Sequence, residues 1–199
     1  MKKIKESNKL DVVFILDRSG SMHDCVEDTI GGYNSYLDSQ KGKKAKITTV
    51  TFSDNITYLY FREDIDKINH LDEKDYVVGG CTALYDAIGT TIERLDYSNI
   101  KNKVLFIITT DGMENSSCRF NKKKVSELIK TQPNWEFIYL GANIDSYEEG
   151  QSIGIRKDRI SNYEKSELGV KKLFKAVADM SSSLYCDQAI NEDWNNELE

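Results

Sequence analysis

DVVFILDRSGSM, residues 11–22, passes from an apolar run to a carboxylate and then to two hydroxyls spaced two apart. Val12 to Leu16 shows no polar alternation, which marks a strand covered on both faces, as in the interior of a parallel sheet. Asp17 closes that run, and Ser19 and Ser21 follow with Gly20 between them. A second run, Val104 to Ile108, ends similarly, with Asp111 after Thr109 and Thr110. In open α/β sheets, ligands bind outside the carboxyl ends of the strands, near the point where strand order reverses. If these two strands are neighbours, Asp17 and Asp111 meet at such an edge.

The remaining pattern supplies the rest of a sheet. Phe137 to Leu140 follows the chain's only proline and ends at Gly141. KITTVTFSDNITYLYF, residues 46–61, is β-branched and aromatic and is broken at Ser53-Asp54-Asn55, so it predicts a hairpin with residues 56–61 as an antiparallel edge. A short strand is expected near Arg159 to Asn162. Apolar residues at helical spacing fill the gaps. They are Val26, Ile30, Tyr33 and Leu37, then Leu84, Ala87, Ile88, Ile92 and Leu95, then Val125, Leu128 and Ile129, and finally Val170, Leu173, Phe174, Val177 and Leu184. Alternation of this kind predicts an α/β fold: a doubly wound, mostly parallel six-stranded sheet with one antiparallel edge and helices on both faces. The expected organisation is an extension over 1–9, one domain over 10–184 and a loose acidic tail over 185–199.

Composition excludes some functions. The formal charge of -6 leaves no basic footprint for nucleic acid, and the short clusters Lys41 to Lys46 and Lys122 to Lys124 suit a solvated loop and a helix start. The apolar run after the basic MKKIKESNKL is too short for a signal peptide or a membrane span. A cytoplasmic location with reduced thiols is therefore the expectation. Cys25, Cys81, Cys118 and Cys186 contain no CxxC pair, which speaks against a zinc site.

Two carboxylates held close repel unless a proton or a cation intervenes. Hydroxyls beside them favour the cation, because hard ions such as magnesium take oxygen ligands. Ser19 and Ser21, two apart in an extended loop, would point the same way, and Gly20 would let that loop bend. GGCTALYDAIG, residues 79–89, offers a further oxygen in Thr82, although a threonine just before a helical stripe is also an ordinary N-cap.

Together DRSGSM, GCTALYDAI and TTDGMENSS resemble the von Willebrand factor A domain and its metal-ion-dependent adhesion site, in order, spacing and context, over about residues 10–184. The resemblance implies a divalent ion, Mg2+ or else Mn2+ or Ca2+, at Asp17, Ser19, Ser21, Thr82 and Asp111. It implies hydroxyls binding directly, aspartates acting largely through water, and a protein partner that supplies a carboxylate to the open position. The implied function is a metal-dependent intracellular adaptor, not an enzyme, without nucleic-acid or membrane partners.

Glu114, Asn115 and Asn143 are candidates for the partner-binding rim, with loop capping as the alternative. A magnesium-dependent hydrolase with Asp17 as nucleophile is the competing function, but Ser19 stands where a haloacid-dehalogenase-like pattern needs a second aspartate. Cys25, Cys81 and Cys118 are expected to be small, semi-buried residues near the site. Relief of carboxylate repulsion predicts that Asp111→Asn leaves the metal-free protein at least as stable while weakening magnesium binding.

Overall fold

The structure, a computed structural model, describes residues 9–198. Its six strands are β1 (Leu10–Asp17), β2 (Ala45–Phe52), β3 (Ile56–Asp64), β4 (Lys103–Thr110), β5 (Trp135–Gly141) and β6 (Ile160–Asn162). They form one sheet in the order β3-β2-β1-β4-β5-β6. All pairings are parallel except β2 with β3, the hairpin that the sequence predicts. The chain leaves β1 for β2 on one side and later returns to β4 on the other, so strand order reverses between β1 and β4. That reversal opens a crevice at their carboxyl ends.

The helices are α1 (Val26–Gln40), α2 (Leu84–Asp96), α3 (Lys122–Lys130), α4 (Ser146–Ser152) and α5 (Glu167–Tyr185). Side chains of β1 alternate between two cores because successive residues of a strand face opposite ways. Val12, Phe14 and Leu16 join residues of α1 and α5, whereas Val13 and Ile15 join residues of α2 and α3. Phe14 anchors the first core, with ring centroids 5.3 and 4.9 Å from Tyr33 and Tyr36 and 6.2 Å from Phe174. Each such aromatic pair adds about 0.5–1.5 kcal/mol to the burial of its area. The doubly covered sheet explains why β1 and β4 carry no polar alternation.

Two expectations need correction. The tail is not loose: Ile190 and Leu198 are buried, and Trp194 Nε1 donates to the Asp158 carbonyl at 2.9 Å. Its apolar residues at 190, 194 and 198 share a side and cover one end of the first core. Helix α4 lies between β5 and β6 where no helix was expected. It is too short to show a stripe, and it starts where the Asp145 carboxylate accepts the Glu148 N–H at 2.9 Å.

Candidate metal centre

Asp17 is the last residue of β1 and is fully buried. Its Oδ1 accepts the Ser19 N–H at 2.7 Å and its Oδ2 accepts the Thr110 hydroxyl at 2.6 Å. Its main-chain carbonyl accepts the Tyr76 hydroxyl. Burial raises the Asp17 carboxyl above the usual carboxylate range, the hydrogen bonds from Thr110 and Ser19 oppose the rise, and the nearby Asp111 charge adds to it. A raised carboxyl means that ionising Asp17 costs folding free energy once pH exceeds its unfolded value, a cost that an adjacent cation would offset.

Leu16 pairs with Thr109 across β1 and β4, so Asp111, just beyond β4, stands beside the end of β1. Its Oδ1 accepts the Ser21 hydroxyl at 2.5 Å. Its Oδ2 faces Lys165 Nζ at 2.8 Å.

The hydroxyls reach the site by a different local geometry from the expected extended loop. Ser19 is extended, but it caps a 3-10 turn over Gly20–Cys25 that contains Ser21. The two hydroxyl oxygens stand 3.1 Å apart. The bend does not rest on Gly20; positive φ falls in the facing loop, at Gly79 (+155°) and Gly80 (+82°). A Cβ on Gly80 would meet Asp54 Oδ2 at 2.0 Å, and its carbonyl accepts the Gly20 N–H at 3.1 Å. Gly80 thus locks the Thr82 loop across the Ser19–Ser21 turn.

Thr82 is not a helix cap. The N-cap of α2 is Ala83, with no side-chain cap bond. The first helical N–H groups are satisfied from another loop: Glu114 accepts from Tyr85 at 2.9 Å and the Ser117 hydroxyl accepts from Asp86 at 3.0 Å. The Thr82 hydroxyl makes no hydrogen bond to another described residue, although Thr82 is only 3% exposed. A Cβ built on Gly112 would lie 3.0 Å from Thr82 Oγ1, 3.5 Å from Ser21 Oγ and 3.8 Å from Ser19 Oγ. Three hydroxyls therefore converge on one small space, which a glycine leaves open, beside the Asp111 carboxylate.

This donor set fits a hard divalent ion. All its atoms are oxygens, and among the described residues no group of three or more His, Cys, Asp or Glu is placed to hold a metal. Ser19, Ser21 and Thr82 would hold the ion, with Asp17 and Asp111 behind them.

The rim candidates divide. The Glu114 carboxylate accepts from the Ser116 and Ser117 N–H groups at 2.9 and 2.7 Å as well as from Tyr85, so it builds the loop and caps α2. Asn115 Oδ1 accepts the Thr82 N–H at 2.9 Å, which ties the Asp111 loop to the Thr82 loop. Asn143, exposed at φ +57° beyond β5, remains on the surface. Sequence reasoning missed Met113, 64% exposed two residues after Asp111; its signal was an apolar residue in an otherwise polar loop. It also missed Lys165, which arrives through the β6–α5 connection and has no local signal. The cysteines are not uniformly semi-buried: Cys25 is buried, its thiol pushed up to about 11 by burial, whereas Cys81 and Cys118 are exposed.

The von Willebrand factor type A domain profile matches residues 11–176. No curated protein matches the chain. Among solved structures, the chain is similar to the pilus adhesin SpaC from Lactobacillus rhamnosus GG in its open conformation. The TM-score is 0.74 at 14% identity, over 92% of this chain and 31% of that one. It is also similar to proximal thread matrix protein 1 from the mussel byssus, with a zinc-occupied MIDAS motif (the metal-ion-dependent adhesion site). There the TM-score is 0.66 at 18% identity, over 88% of this chain and 46% of that one. The vWF domain of the pilus tip protein Mfa5 from Porphyromonas gingivalis gives 0.65 at 10% identity, over 88% and 96%. These identities establish a shared fold, and this chain spans less than half the length of the mussel and Lactobacillus proteins.

Proposed function

Because this chain belongs to the von Willebrand factor type A domain family, whose members are mostly adhesion or interaction modules, we propose that it is a divalent-metal-dependent protein-binding module. The observation that carries this reading is the convergence of the Ser19, Ser21 and Thr82 hydroxyls on the space above Gly112, beside Asp111. A magnesium, manganese or calcium ion there would supply a positive charge with a coordination position open to a partner's carboxylate. The three direct donors are neutral, so an acidic side chain is the ligand that the open position favours. Exposed Met113, two residues after Asp111, and exposed Asn143, beyond β5, would supply apolar and polar contacts to that partner. An intracellular adaptor role is part of the same proposal. All four thiols are free, as a reducing compartment would keep them.

The hydrolase reading is disfavoured by the same geometry. A nucleophilic carboxylate must reach its substrate, whereas Asp17 is fully buried with both oxygens engaged. Incubation with magnesium and a phosphate monoester should give no sustained turnover. Turnover abolished by Asp17→Asn would replace the binding reading.

Affinity capture from a cell extract, in magnesium and in chelator, tests the function. Partner retention should require magnesium and should fall more steeply in Thr82→Ala than magnesium binding itself does, since the variant removes a neutral ligand and leaves both charges. Retention that is equal in chelator would refute metal-dependent recognition.

A further inference from the structure

The site contains a cation of its own. Lys165 lies in the connection from β6 to α5, and its Nζ stands 2.8 Å from Asp111 Oδ2 while also donating to the Ser21 main-chain carbonyl. Both partners belong to the candidate metal centre. The lysine side chain is 14% exposed and that of Asp111 1% exposed, so the ion pair is sheltered from solvent screening. With Ser21 on Oδ1 and Lys165 on Oδ2, each Asp111 oxygen is engaged.

We propose that Lys165 is a tethered competitor for the divalent ion, holding Asp111 in the metal-free protein and lowering the affinity of the site for metal. This inference rests on the metal-binding reading above. A divalent ion arriving among the hydroxyls meets a like charge at close range and a carboxylate already neutralised, and both oppose its binding. Metal entry therefore requires the ammonium to leave Asp111.

The surrounding chain permits that movement. The backbone on either side of Lys165 is fixed: the Tyr163 N–H donates to the Gly141 carbonyl at 2.9 Å, and the Ser166 side chain caps α5 by accepting the Gly169 N–H at 3.1 Å. Only the four-carbon stem has to swing, and lysine's stem is flexible, with a compact and strongly hydrated charge at its end. The tether thus returns the same ammonium to the same carboxylate whenever the metal leaves. Partner carboxylates meet a divalent ion only after the exchange, which makes Lys165 a determinant of the metal concentration at which the module switches on.

Calorimetric titration of the full chain with magnesium chloride tests this. Lys165→Gln, which removes the charge and ends about one bond short of the ammonium, should bind magnesium about tenfold or more tighter than the parent. Lys165→Arg, which keeps the charge, should stay within about threefold of it. Parent-like or weaker binding by a folded Lys165→Gln would overturn the competition. A second readout needs no variant: in the parent with 13C-labelled lysine, the Lys165 ε-methylene signal should shift and sharpen as magnesium is added, and a signal unchanged at saturation would equally overturn it. If the parent and both variants bind no magnesium at all, the metal-binding reading itself falls and takes this inference with it. That failure is thereby distinct from a failure of the competition alone.

Discussion

Asp111→Asn should weaken magnesium binding by about thirtyfold and should also destabilise the protein in chelator. A unit charge a few ångströms from a divalent ion is worth about 2 kcal/mol even with the screening of bulk water, and more in a sheltered site. That figure sets the scale of the loss. The second effect has the opposite sign from the one carboxylate repulsion alone suggests, because Lys165 already neutralises Asp111 at 2.8 Å. The amide can still accept from Ser21, but a sheltered ammonium is left without its counter-charge. Breaking a partly buried pair by removing one partner costs on the order of 1–2 kcal/mol here, so the thermal midpoint in chelator should fall by about 5 °C. Calorimetry and a thermal melt read the two effects separately. An unchanged midpoint would show that the Lys165 pair carries no stability, and unchanged magnesium affinity would remove Asp111 from the site.

Gly112→Ala should produce a loss of the first kind without the second. Its added methyl would stand 3.0 Å from Thr82 Oγ1 and 3.5 Å from Ser21 Oγ, inside the space on which the hydroxyls converge. Gly112 is not among the residues with positive φ, so alanine meets no backbone penalty there. The Thr82 hydroxyl must then move by a few tenths of an ångström, and the room for an ion shrinks. Magnesium affinity should fall about tenfold or more, since misplacing one of three direct ligands costs more than ~1.4 kcal/mol, while the melt in chelator stays within about 2 °C. A variant that binds magnesium as the parent does would place the ion somewhere other than over Gly112.

Much of this was legible in the sequence because it is local. Val12 to Leu16 and Val104 to Ile108 announce doubly covered strands by lacking alternation, and each delivers its aspartate to the same end. The hairpin broken at Ser53-Asp54-Asn55 and the stripes of α1, α2, α3 and α5 follow from period alone. What escaped depends on partners distant in sequence. Glu114 looks like a rim residue until it is seen capping α2 from another loop. Lys165 is one lysine among many until the fold sets it against Asp111. Thr82 looks like a cap until the helix starts beyond it, at Leu84. The tail's residues at 190, 194 and 198 carry a helical spacing within an acidic segment, and charge concealed it.

The most direct test of the central claim, that the Ser19, Ser21 and Thr82 hydroxyls and the Asp17 and Asp111 carboxylates form one divalent-ion site, is a crystal structure grown with manganese and measured for anomalous scattering. The account predicts an anomalous peak over Gly112, within bonding distance of the Ser19, Ser21 and Thr82 oxygens, with the Lys165 ammonium turned away from Asp111. At saturating manganese, no peak there, or a peak elsewhere with Lys165 still on Asp111, would contradict it.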